Sequence, residues 1–159
     1  MKEIEFEHIE RQDYSEEMNQ IVSLSGIDKR DLSIKIWLEE LKVNASANIL
    51  NSYGREFKVK RGKIDRRTHK LGQCYWNSNK MMDEGYQYVE GVIIPKDGSS
   101  QFSHAWNVDG NGNHYDFTID DPEKYTYIGI VLNEMNVMMV GYNNGCIHYC
   151  TLPFLKLKR

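Results

Sequence analysis

The chain has few cysteines, few prolines and no long apolar run. Its three cysteines, Cys74, Cys146 and Cys150, are an odd number, which excludes a fully paired disulfide framework and points to free thiols in a reducing compartment. No apolar stretch approaches the roughly 20 residues that a membrane-crossing helix needs. The opening MKEIEFEHIER is charged throughout and lacks the apolar centre of a secretion signal, so the expectation is a cytoplasmic chain without a membrane partner. Charge of either sign is not in large excess: 20 Lys and Arg against 23 Asp and Glu leave a net of −3, and the bulk charge does not single out nucleic acid as a partner. Neither a glycine-rich phosphate loop nor a dinucleotide fingerprint is present.

What is present has the composition of a globular domain, 40% hydrophobic and 27% charged over 159 residues, enough to build one core without staples. We expect a single domain over residues 1–159, with 1–13 a polar lead-in holding a short strand at IEFEHI. In DYSEEMNQIVSLSG, Tyr14, Met18, Ile21 and Val22 make one helical stripe. In DKRDLSIKIWLEELKV, Ile34, Trp37, Leu38 and Leu41 make a clearer one. NASANILNSYG reads as a third, short helix closed by Gly54. From Cys74, CYWNSNKMMDEG reads as a helix ended by Gly85. Strand signals follow in series: YQYVEGVII, the turn PKDG, QFSHAWNV and HYDFTI around DGNG, then YTYIGIVLN. The tail from Met135 is ambiguous, with room for one more strand and a short helix or 3₁₀ turn. The resulting expectation is an α+β fold, N-terminal helices and a cysteine-bearing helix packed on an antiparallel sheet.

Residues 55–70 differ from the rest. Eight Lys or Arg face two acids there, a local net of +6. Phe57 and Val59 alternate, and Arg61-Gly62 is a candidate hairpin turn. Such a run most often just faces water; its functional alternative is a contact surface for an acidic partner or nucleic acid.

The chemistry concentrates in LGQCYWNSNK and SHAWNVDGNGNHYDFT. A thiol becomes a useful nucleophile when its thiolate is favoured. At the start of a helix the unpaired N–H groups and the helix dipole do this, and Gly72 allows the sharp entry that leaves sulfur at the corner. On the hairpin, an odd-length loop puts His104 and Asp116 on one face. A three-residue loop Asp109–Asn111, or a five-residue loop Val108–Gly112, sets them directly opposite, and Gly110 and Gly112 suit the left-handed position of such a loop. Asp116 would then orient His104, and His104 would hold the Cys74 thiolate, which is the logic of a triad.

GQCYWN, YVEGVI, HAWNV and HYDFT together resemble the papain-like and transglutaminase-like cysteine enzymes, in which a cysteine at a helix start precedes a His-Ala-Trp strand and an Asp-x-Thr strand one hairpin later. The likeness covers roughly residues 70–120, and the first 65 residues match no family pattern. It implies Cys74 as nucleophile, His104 as base and acid, and Asp116 as orienting carboxylate, with no cofactor. The short Cys-to-His spacing departs from the larger members and leaves substrate choice open.

Other residues complete the candidate site. Oxyanion donors are sought at the backbone N–H of Cys74 or Tyr75 and at the Gln73 side chain. Asn77, one helical turn on, is a candidate lining residue. Trp106, on the His104 face, is expected to wall the cleft, and Thr118 to support Asp116 from behind. Each has a plain alternative: Cys74 a small core residue, His104 a satisfied sheet histidine, Asp116 a turn cap, Asn77 a surface residue, Trp106 a core filler and Thr118 a strand former. Metal readings are weaker. CIHYC lacks a second ligand pair, DGNGNHYD lacks calcium-loop spacing, and Cys74, His104 and His114 as ligands need more assumptions than a triad.

The expected function is thiol-dependent acyl transfer on amide bonds of a protein or peptide, as protease, amidase or glutamine deamidase, with hydrolysis ranked ahead of transamidation. The alternative is a catalytically silent module that binds protein or nucleic acid through the 55–70 segment.

Overall fold

The structure, a computed structural model, describes residues 6–8, 47, 49–143, 151–152 and 155–157. The stripes read at 14–26 and 28–43, and the CIHYC cluster, lie outside them.

Strand β1 (Phe6–His8) falls inside the expected IEFEHI piece and pairs antiparallel with β8 (Leu155–Leu157). The helix α1 (49–53) ends where expected, the Gly54 N–H bonding Leu50 O at 2.8 Å. A Cβ at Gly54 would stand 2.4 Å from that oxygen, so only glycine fits. Helix α2 (Cys74–Met82) follows, then β4 (Gln87–Pro95), β5 (Phe102–Val108) and β6 (His114–Asp116). A 3₁₀ turn at Pro122–Lys124 leads into β7 (Tyr125–Leu132) and α3 (Glu134–Asn143).

The fold is α+β, but its main sheet is not a plain antiparallel meander. Six strands lie in the order β2-β7-β4-β5-β6-β3, with β2 (Arg55–Phe57) and β3 (Val59–Arg61) at the two edges. β7 crosses back to the free side of β4 instead of extending the hairpin series, and β3 runs parallel to β6. The expected hairpin at Arg61-Gly62 does not form. Lys58 alone separates β2 from β3, too short a link for them to pair, so each joins a different end of the sheet. Because the two edges are consecutive in the chain, the sheet must curl.

Glycine makes the curl possible. Gly91 on β4 pairs with Gly129 on β7. A Cβ at Gly91 would lie 1.9 Å from Ile128 O, and one at Gly129 would lie 2.5 Å from Trp106 Cη2. The curl encloses Val59, Val89, Ile93, Trp106, Val108 and Tyr127. The opposite face carries Tyr88, Ala105, Ile130 and Leu132, covered by Ile49 and Leu50 of α1, Val137 and Val140 of α3, and Tyr75 and Met82 of α2. β5 is therefore buried on both sides.

The ambiguous tail resolves as helix first, strand last. Asn133 caps α3, its side-chain oxygen accepting Asn136 N–H at 2.8 Å. Val137 and Val140 bury the inner face while Met135 and Met138 stay exposed. Among the described residues no helix is long and apolar enough to cross a membrane.

Candidate functional site

Three elements deliver Cys74, His104 and Asp116 to one place. Cys74 is the first residue of α2 and is partly exposed. Gly72 sits at φ +70, as the sharp entry requires. The first helical bond is Asn77 N–H to Gln73 O, 2.9 Å, and no side chain caps the helix. The N–H at Cys74 therefore precedes the helical ladder, where an oxyanion donor is wanted.

His104 lies on β5 and is buried. The observed β5–β6 register pairs Val108 with His114 and Asn107 with Tyr115. The connecting loop is displaced by one residue from either arrangement expected, and Asp109 organises it. Its N–H bonds Asn113 O at 2.9 Å, and its carboxylate accepts Asn111 and Asn113 N–H. Only Gly112 of the two loop glycines takes positive φ. The loop is odd, so His104 and Asp116 keep a common face, but they are diagonal neighbours, not directly opposed. A histidine spans that diagonal: His104 Nε2 stands 2.7 Å from Asp116 Oδ2.

Asp116 is fully buried and fully engaged. Oδ1 accepts the Thr118 and Ile119 N–H groups at 2.8 and 3.0 Å, and Oδ2 also accepts the Tyr127 hydroxyl at 2.7 Å. Four donors fill the capacity of an ionised carboxylate. Burial by itself would raise the Asp116 pKa, but the bond and charge of His104 and the other donors hold it below its usual value. For His104 the balance runs the other way. Burial disfavours its charge, but hydrogen bonds to Asp116 and to the Cys74 sulfur, together with their charges, push its pKa up to about 9. Since Nε2 serves Asp116, Nδ1 is the nitrogen left for the thiol. At neutral pH the site holds an imidazolium between a carboxylate and a sulfur.

The supporting residues differ from expectation. Asn77 does not line an opening. It is fully buried, accepts Lys70 N–H at 2.7 Å, and donates to Lys70 O at 2.8 Å and Thr118 Oγ1 at 2.9 Å. Its amide thus fastens α2 both to the loop before Cys74 and to the turn that holds Asp116. Trp106 is not a cleft wall either. It is wholly buried under His104, ring centroids 6.3 Å apart and nearly parallel, and its Nε1–H donates to His114 Nδ1 at 2.9 Å. Gln73 is exposed, and among the described residues its side-chain amide has no hydrogen-bond partner, so it remains available to an incoming group. Thr118 does support Asp116, through its backbone N–H and its bond from Asn77.

His114 does not join Cys74 and His104 as a ligand. It stacks on Phe57 at 4.0 Å, and burial lowers its pKa. Among the described residues no cluster of three or more His, Cys, Asp or Glu is placed to hold a metal. In the basic segment, Arg67 pairs with Asp65, which the +6 already counts, while Arg61 and Arg66 pair with Asp120 outside it, so part of the excess is matched within the chain.

Sequence reading missed Tyr127, whose neighbours Tyr125 and Thr126 offered no cue to which side chain would point inward, and it gave Asn77 the wrong task. No family model, curated protein or solved structure matches the chain.

Proposed function

We propose that the protein is a cysteine acyl-transfer enzyme of papain-like or transglutaminase-like type, hydrolysing amide bonds in a protein or peptide with a Cys74-His104-Asp116 triad. The observation that carries this reading is the buried His104–Asp116 bond of 2.7 Å on an imidazole whose charge the sulfur at a helix start also favours. Cys74 Sγ attacks the acyl carbon, and the oxyanion forms near the Cys74 N–H and the Gln73 amide. His104 gives its proton to the departing amine as the C–N bond breaks, leaving a thioester. Water then attacks with His104 taking its proton, the C–S bond breaks, and thiolate and imidazolium are restored. An amine in place of water would give transamidation from the same intermediate.

Iodoacetamide at about pH 6 should label Cys74 far faster than Cys146 or Cys150, because only a stabilised thiolate reacts at that pH. Equal labelling of the three would overturn the reading. The reaction itself is read by mass spectrometry of candidate proteins incubated with the wild type and with Cys74→Ser. A new cleavage, a one-unit mass gain at glutamine or a cross-link would name hydrolysis, deamidation or transamidation. No difference between the two enzymes on any candidate, with Cys74 inert to iodoacetamide, would favour a binding module.

A further inference from the structure

Tyr127 donates its hydroxyl to Asp116 Oδ2, the same oxygen that pairs with His104 Nε2, at the same 2.7 Å. The two donors compete for the charge on one atom. Tyr127 comes from β7, two strands away from β5 across β4, so the contact is a product of the curl. Its ring also meets His104 edge-on at 6.1 Å and Trp106 at 5.0 Å. Burial, the Asp116 charge and the hydrogen bond all raise its pKa, so the hydroxyl stays a neutral donor across the working range. The other titratable groups that act on this cluster are Cys74 from α2, Asp116 from β6, Tyr125 at the start of β7, and Asp121 ahead of the 3₁₀ turn.

We propose that Tyr127 is a positioning residue of the triad: by sharing Asp116 Oδ2 it weakens the hold of the carboxylate on His104, so that the imidazolium can release its proton to a leaving group, and it fixes the plane in which Nδ1 faces Cys74. The catalytic part of this rests on the function proposed above; the coupling to His104 does not. A carboxylate with fewer donors binds a neighbouring imidazolium more strongly and raises its pKa.

The test is the titration of His104 followed by NMR of its ring protons, with the alkylation rate of Cys74 measured over the same pH range. Tyr127→Phe keeps the ring and removes only the hydroxyl. It should move the His104 midpoint upward by roughly half a pH unit or more, carry the alkaline limb of alkylation with it, and slow turnover. Should the phenylalanine variant fail to fold, 3-fluorotyrosine at position 127, a stronger donor of nearly the same size, should move the midpoint downward. An unmoved midpoint in a folded variant overturns the proposal, even if turnover falls, because loss of packing would slow turnover without touching the titration. If the midpoint moves while Cys74 proves inert in the wild type, the acyl-transfer function fails and the Tyr127 coupling stands.

Discussion

Glu90 shows how much one residue can depend on surroundings that its neighbours in the chain do not reveal. It sits on β4 in YVEGVI and is 2% exposed on the face that carries the apolar cluster of Tyr88 and Leu152. Its carboxylate accepts the Tyr88 hydroxyl at 2.5 Å and the Thr151 and Leu152 N–H groups at 2.6 Å each. Burial outweighs these bonds and pushes its pKa from 4.5 up to about 7. A carboxyl that holds its proton more tightly folded than unfolded stabilises the fold fully below pH 4.5, and that contribution is lost as pH rises through about 7. Urea unfolding should therefore show stability falling between about pH 5 and 7, and Glu90→Gln should flatten the curve below the range where His104 begins to act. The glutamine also sets an N–H₂ against a backbone N–H, so it should cost roughly 1–3 kcal/mol at pH 5. A slope that survives in the variant would assign it elsewhere. His104 is the next group in line: its pKa, raised from 6.5 to about 9, adds a separate loss of stability at higher pH, over the range in which alkylation of Cys74 should also lose its histidine dependence.

At the scale of elements, α2 matters through its second turn as much as its first. Asn77 bonds both backbone groups of Lys70 and the Thr118 hydroxyl, and Arg66 Nη2 adds a bond to Thr118 O at 3.0 Å. The helix that carries the sulfur is thus tied to the turn that carries the carboxylate. Asn77→Ala would leave buried donors and acceptors without partners, and we expect a loss of about 2–4 kcal/mol in thermal or urea unfolding. Cys74 alkylation near pH 6 should slow in the same variant under conditions where it remains folded. A fully stable variant with an unchanged rate would show that the clamp does not set the site. The sequence made the start of α2 legible, since Gly72 and a polar cysteine-led run are local signals. It did not reveal that Asn77 points inward, because α2 has no clean apolar stripe: its buried residues are Asn77, Ser78 and Met81.

The whole molecule is held in shape by a sheet whose first and last strands are joined by Lys58 alone. Gly91 carries the tightest crossing of that curl. Gly91→Ala would put a methyl 1.9 Å from a backbone oxygen on β7, which nothing short of strand separation relieves, and we expect a loss on the order of 2–4 kcal/mol. Gly98→Ala is the contrasting case. That glycine has φ +86 in an open turn with no atom within 4 Å, so only backbone strain of about 1–2 kcal/mol applies. The denaturant midpoint of Gly91→Ala should lie below that of Gly98→Ala; the reverse ranking would mean that β4 and β7 do not approach so closely at Gly91.

Local events are legible in the residues: a cysteine at a helix start after a glycine of unusual φ, a His-Ala-Trp strand, and an odd hairpin loop that keeps His104 and Asp116 on one face. These depend on residues a few positions apart, where periodicity and turn chemistry act directly. Only in the assembled fold do the two residues meet on a diagonal, does β7 return beside β4 to bring Tyr127 to Asp116, do Asn77 and Trp106 turn inward, and does the 55–61 stretch divide between opposite edges of the sheet. Those outcomes depend on which strands become neighbours, and that choice is made by burying apolar faces across the whole chain, a sum that no short stretch of residues contains.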